Sequence, residues 1–140
     1  REELEAIHLQ PFRAAIAAGV GGMMIGHIAV PAVDASGTPA SLSQPIVTGI
    51  LRGEMNFRGL VFTDDLEMKA LDQSDPGALA VRALQAGCDM LLFCHAPEKA
   101  QVARTAILDA VHDGTLTSQR VQNSIERVRW VKRKFGIVGE

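Results

Sequence analysis

The chain carries almost no net charge: 14 lysines and arginines stand against 16 aspartates and glutamates, leaving −2 over 140 residues. A nucleic-acid partner would favour a clustered basic surface, so none is expected. No apolar run approaches the roughly 20 residues that cross a bilayer, so no membrane span is expected. Cysteine is scarce, with only Cys88 and Cys94. They bound CDMLLFC, which reads as one strand, and at about 3.3 Å per residue their Cα atoms lie about 20 Å apart. A disulfide tolerates less than about 7 Å, so both are expected to be free, buried thiols. Such thiols fit a reducing compartment, and the cytoplasm is the expected location. Low-complexity segments, a convincing short repeat and an internal linker are also absent. No signal-peptide pattern opens the chain, but Arg1 does not look like a natural start, and further native sequence is expected upstream of it.

The remaining composition, 47% hydrophobic and 21% charged, is that of a globular protein able to form a core. The length suits one domain. REELEAIHLQPFRAAIAAGV opens as a helix with Leu4, Ile7, Phe12 and Ile16 at near-helical spacing, broken or kinked at Pro11. GGMMIGHIAVPAVD begins with a short, glycine-bounded buried strand, and ASGTPAS is a loop. LSQPIVTGILRGEMNF reads as a helix with Ser43 as N-cap and Pro45 in its first turn. RGLVFTDD is a second strand. DPGALAVRALQAGC is a helix closed by Gly87, and CDMLLFC a third strand. Two helices follow, APEKAQVARTAILDAVHDG and TSQRVQNSIERVRWVKRKFG, the last with Val121, Ile125, Val128 and Phe135 on one stripe. The basic run RVRWVKRK reads as its solvated face.

Strands and helices alternate, and the strands MMIGHI, LVFT and MLLF are apolar on both faces. That is the mark of a parallel sheet covered on both sides. Three strands cannot close a barrel, which takes eight strands and about 250 residues. The expected fold class is therefore α/β, with residues 1–140 forming part of a larger fold.

In such folds the chemistry collects at the carboxyl ends of the strands. Those ends carry His27, the pair Asp64 and Asp65, and Cys94 with His95. Alternate side chains of a strand face opposite ways, so Asp64 shares a face with Leu60 and Phe62, and Asp65 with Val61 and Thr63. One carboxylate can enter a site while the other caps a helix or binds backbone amides. Alternatively, both acids merely open the helix that LEMKAL suggests, where negative charge is favourable; spacing leaves both readings open. His27 reads as a hydrogen-bonded structural residue or as a ligand contact. His8 and His112 read as surface or capping residues. Met23, Met24, Met68 and Met90 read as core filler, with Met68 close to the acids. Cys94–His95 has donor atoms for a metal, but neither a second C-x-x-C pair nor H-x-x-x-H accompanies it. No metal is expected, and a metal-dependent enzyme using Asp64, Asp65 and His95 is the weaker alternative.

The segment ILRGEMNFRGLVFTDDLEM resembles the nucleophile region of glycoside hydrolase family 3: Ile50 and Leu51, then Arg52, Glu54, Gly59, three apolar residues, Thr63 and Asp64. TDDLEM is more narrowly similar to the bacterial β-N-acetylhexosaminidases of that family; Asp65 stands where the β-glucosidase branch usually has an aromatic residue. GGMMIGHIAVPAVD, ALQAGCDMLLFCH and the closing amphipathic helix extend the resemblance over nearly the whole chain. It implies a (β/α)8 barrel of which these residues are the C-terminal portion, bearing the last three strands. It also implies retaining hydrolysis with Asp64 as nucleophile, and a histidine acid/base on a loop upstream of this chain. No cofactor is implied. His27 and Met68 are expected to border the sugar. The implied substrate is a glycan with terminal β-linked N-acetylglucosamine, released in cell-wall recycling, and the implied partner is the N-terminal part of the same barrel. The 140 residues alone are expected to be inactive, and the rival reading is a non-catalytic half-barrel that binds sugar or another chain.

Overall fold

The computed structural model describes residues 1–72 and 75–137. A wide-wound helical turn, Leu4–His8, runs into α1, Gln10–Ala17, with Pro11 in the first turn of α1, where the missing N–H costs nothing. The strand β1, Gly22–Ile25, comes next, then a loop and a tight turn at Ala40–Leu42. A helix of π winding spans Pro45–Glu54 and closes with Met55 N–H donating to Ile50 O. It is followed by β2, Leu60–Asp65; α2, Pro76–Ala86; β3, Met90–Leu92; α3, Pro97–His112; and α4, Ser118–Lys134. No helix among the described residues is long and apolar enough to cross a membrane.

The strands form one parallel sheet in the order β1-β2-β3. Met24 pairs with Phe62, and Phe62 with Met90, so these three side chains share a face. Met23 and Val61 on the opposite face are buried against Val47, Ile50, Leu51, Leu79 and Ala83 from the helices. Within the described residues the sheet is covered on one face. The helices cover one face, whereas Met24 is 51% exposed and Met90 41%. Of the four methionines expected in the core, only Met23 is buried.

Two glycines are required by geometry. Gly87 ends α2 at φ 122, a conformation that side chains with a Cβ rarely adopt. At Gly59, a Cβ would come within 2.5 Å of both the Gly21 carbonyl and the Phe57 ring, so the strand entry admits no side chain. Ser43 does not cap the π helix as expected. Its hydroxyl donates instead to Asp34 Oδ2 at 2.6 Å, pinning the 34–43 loop.

The amino ends of the strands meet at Asp89, whose carboxylate is fully enclosed. It accepts from Arg52 Nη2 at 2.5 Å, Arg127 Nη1 at 2.9 Å, Ser124 Oγ at 2.9 Å and the Val61 N–H at 3.0 Å. Arg120 lies 3.5 Å away and also donates to the Leu84 and Cys88 carbonyls. Arg52 further donates to the carbonyls of Phe57 and Gly59. Arg127, expected on a solvated face, is thus turned inward. Burial lowers the Arg52 and Arg120 pKa values while Asp89 opposes it, and arginine stays charged throughout. Removing one partner of a buried charge set costs about 3–5 kcal/mol, because the remaining charges are stranded. Asp89→Ala in the intact protein is expected to lower unfolding free energy by about that much. Denaturant titration measures it, and a loss under about 1 kcal/mol, the level of an exposed ion pair, would show that Asp89 is not the anchor.

Candidate active site at the carboxyl ends of the strands

Asp64 and Asp65 end β2, and burial alternates along that strand as the parity rule requires: Val61, Thr63 and Asp65 are buried, while Leu60, Phe62 and Asp64 are partly open. Asp64 therefore stands on the open face with Phe62. Its Oδ1 accepts the Asp65 N–H at 2.8 Å, and among the described residues its other oxygen has no partner. No helix starts at the acid pair. Residues 66–71 form turns, with Met68 N–H donating to Asp65 O at 3.1 Å and Leu71 N–H to Met68 O at 3.0 Å. The reading in which both acids open a helix is therefore corrected.

Asp65 is a backbone clamp. Its Oδ1 accepts from the N–H of Glu67 at 3.0 Å and of Cys94 at 3.3 Å, and its Oδ2 lies 3.0 Å from His95 Nδ1. Glu67 reaches across to the same loop and accepts from the N–H groups of His95 at 2.6 Å and Ala96 at 3.1 Å. Those N–H groups lie just before α3, which has no capping side chain of its own, so Glu67 caps it from a distance. Lys99 Nζ stands 3.5 Å from Glu67. Sequence reading missed this role of Glu67, whose only local signal is its spacing of two from Asp65.

His27 is near the acids but turned inward, 9% exposed, with both ring nitrogens engaged: Nδ1 with Ser41 Oγ at 2.7 Å and Nε2 with the Asp65 carbonyl at 2.9 Å. Both ring nitrogens are thus committed within the chain, and the ring lies on the packed side of the acid pair. Met68 is 42% exposed beside the acids. His95 is solvent-facing at 77% side-chain exposure, and His8 and His112 lie on the surface.

Ligand atoms of Asp65, Glu67 and His95 lie within 4.8 Å of one another, a spacing that a metal ion could bridge. Their chemistry is that of a clamp instead. Backbone N–H donors already occupy both carboxylates, and Lys99 supplies positive charge beside them. Burial pushes the Cys88 thiol up to about 12. Cys94 is raised by burial and by the Asp65 and Glu67 carboxylates, and it is exposed rather than buried as expected.

Asp64 stands at the carboxyl end of the open sheet face, beside Phe62 in parity. One groove, about 510 Å³, lies against β1 and is walled by Leu4, Phe12, Met24, Ile28 and Ile50. A sugar needs convergent polar groups, and this groove is apolar.

A parallel sheet with helices on one face, an open opposite face and a carboxylate at a strand's carboxyl end defines a segment of a TIM-type (β/α)8 barrel domain. Residues 1–131 match the glycosyl hydrolase family 3 N-terminal domain. A β-hexosaminidase of Nitrosospira multiformis is 44% identical over 101 residues, covering 71% of this chain and 28% of that protein. One of Nitrosomonas eutropha is 37% identical over 129 residues, covering 88% and 36%. The solved structure of a family 3 β-N-acetylglucosaminidase from Paenibacillus sp. str. FPU-7 superposes with TM-score 0.95 at 39% identity, over 100% of this chain and 27% of that one. The chain belongs to glycosyl hydrolase family 3, and it spans between about a quarter and just over a third of these relatives' lengths.

The clamp carries a pH signature. Backbone N–H donors from His95 and Ala96 hold Glu67 below its ordinary 4.5 against the cost of burial. At Asp65 burial pulls upward, but the N–H groups of Glu67 and Cys94 with His95 outweigh it and hold the carboxyl below its ordinary 3.8. Folding therefore favours the ionised forms. Their contribution is complete above the ordinary values and is lost as pH falls through the lowered ones. The thermal midpoint of the intact protein is expected to drop with acidification below about pH 4.5, and Glu67→Gln to flatten that drop. Equal acid slopes in the two proteins would take Glu67 out of the acid response.

Proposed function

We propose that this chain supplies the nucleophile of a retaining β-N-acetylhexosaminidase. The observation that carries the reading is the half-open Asp64 carboxylate at the end of β2, with Oδ1 held by the Asp65 N–H and the other oxygen uncommitted among the described residues. A nucleophilic carboxylate needs one oxygen fixed for aim and one free for attack. In the first step the free oxygen bonds to the anomeric carbon as the bond from that carbon to the leaving oxygen breaks, and the leaving oxygen takes a proton from a general acid. Water then attacks the same carbon, regenerating the Asp64 carboxylate and releasing the sugar with retained configuration.

The general acid in this reading is a histidine outside these 140 residues, a residue type that titrates near working pH. Glu67 is no substitute: N–H donors stabilise its ionised form, and a lowered pKa is the wrong direction for a proton donor. The names of the relatives support an N-acetylated hexose as substrate. The resemblance of TDDLEM supports terminal β-linked N-acetylglucosamine on wall-derived fragments, and the unpaired cysteines support a cytoplasmic setting. Met68, exposed next to Asp64, borders the sugar in this reading.

The intact protein is expected to cleave a chromogenic β-N-acetylglucosaminide with retention, to be labelled covalently on Asp64 by a slow 2-fluoro sugar, and to lose activity by several orders of magnitude in Asp64→Asn. Mass mapping of the label decides, and labelling that persists in Asp64→Asn would exclude Asp64. The 140-residue chain alone is expected to show no turnover of the same substrate, and measurable turnover would place a proton donor within it.

A further inference from the structure

We infer that His27 is a positioning residue for the Asp64 nucleophile, acting through the peptide of Asp65; this rests on the reading of Asp64 given above. The chain of contact is short. The carbonyl of Asp65 faces His27 Nε2 at 2.9 Å, and the N–H of Asp65 donates to Asp64 Oδ1 at 2.8 Å. A carbonyl only accepts, so Nε2 carries the proton. In the neutral ring Nδ1 is then an acceptor and takes the hydroxyl proton of Ser41 at 2.7 Å. Ser41 is fully buried in the turn Ala40–Leu42, and its own carbonyl accepts from Cys88 Sγ at 3.5 Å. The tautomer is thereby set from the packed side of the sheet.

The consequence lies at the nucleophile. All the polar groups of Asp65 are held: its carbonyl by His27 and the Met68 N–H, its carboxylate by Glu67, Cys94 and His95, and its N–H by Asp64 itself. The Asp65 N–H has a fixed direction only while its flanking groups are fixed, and that N–H selects which Asp64 oxygen is withheld from attack. Of these contacts, His27 is the one that comes from the segment just after β1, so it ties the end of the nucleophile's strand to the chain leaving the neighbouring strand. Misplacing a reacting group by about 1 Å costs on the order of a hundredfold in rate.

The test uses the intact enzyme with His27→Ala, His27→Gln and Ser41→Ala, following the rate of covalent labelling by a 2-fluoro sugar together with kcat and KM. Glutamine reaches as far as Nε2 and keeps an N–H donor for the Asp65 carbonyl. His27→Ala is expected to slow labelling and kcat about ten- to a hundredfold, with KM within about twofold of wild type. His27→Gln should recover most of that loss, and Ser41→Ala should fall between. A loss confined to KM, or an equal loss of kcat in the alanine and glutamine variants, would overturn the inference. Should His27→Ala not fold, Ser41→Ala still decides, since a wild-type labelling rate in that variant would overturn it too. Failure of the wild-type enzyme to label Asp64 would reject the nucleophile itself, a result distinct from all of these.

Discussion

One buried carboxylate sets the frame. Asp89 receives hydrogen bonds from β2, from the π helix and from α4 at once. Burying a charge is costly, and its attraction to arginine offsets that cost only when nearly every lone pair is used. Here they are used by three guanidinium groups, a hydroxyl and a backbone N–H. Such a hub admits few alternative packings. The helices cannot slide along the sheet without stranding charge, so the amino end of β2 is fixed relative to β3 and α4. A network of this kind contributes specificity more than raw stability, because an apolar cluster of equal volume would be no less stable.

The carboxyl end of β2 is held by a second, different device. Asp65 and Glu67 reach across to the loop after β3 and accept its N–H groups. The strand that bears Asp64 is therefore tethered at both ends, by an acid on β3 at one and by its own second acid at the other. This answers why two carboxylates sit side by side. Strand parity sends one into the scaffold and the other to the open face, and the first restrains the peptide that aims the second. Under the proposed nucleophile role a single acid could not do both, since the clamp needs its oxygens saturated and attack on a sugar needs one free.

Much of this was readable in the residues. Short apolar runs locate all three strands, the parity of Asp64 and Asp65 follows from period two, and Gly87 marks the end of α2. What escaped is non-local. Nothing near Asp89 in sequence points to Arg52, Arg120 or Arg127, which lie 31 to 38 positions away. Arg127 looks like one more solvated cation on a basic stripe, and only the fold turns it inward. LEMKAL has helical composition, yet the chain there runs through tight turns, with Met68 N–H donating to Asp65 O and Leu71 N–H to Met68 O. Ser43 has the character of an N-cap, but its hydroxyl is aimed at the Asp34 carboxylate, 9 positions back in the chain. His27 shows the same limit. Its place at a strand end is legible, whereas the direction of its ring depends on Ser41, 14 residues on.

The arrangement separates support from chemistry across the thickness of one sheet. The face bearing Met23, Val61, Thr63 and Asp65 is packed, hydrogen-bonded and closed. The face bearing Met24, Phe62, Met90 and Asp64 is apolar along most of its length and turns polar only at the carboxyl end. In a closed barrel those apolar side chains would fill the interior in layers, leaving the carboxylate at the mouth as the point where water and substrate meet the strand. Family 3 membership and the open face thus have one cause. A carboxylate placed one residue earlier or later on β2 would point into the helices, where every oxygen would be claimed by the scaffold and none would be left for a sugar.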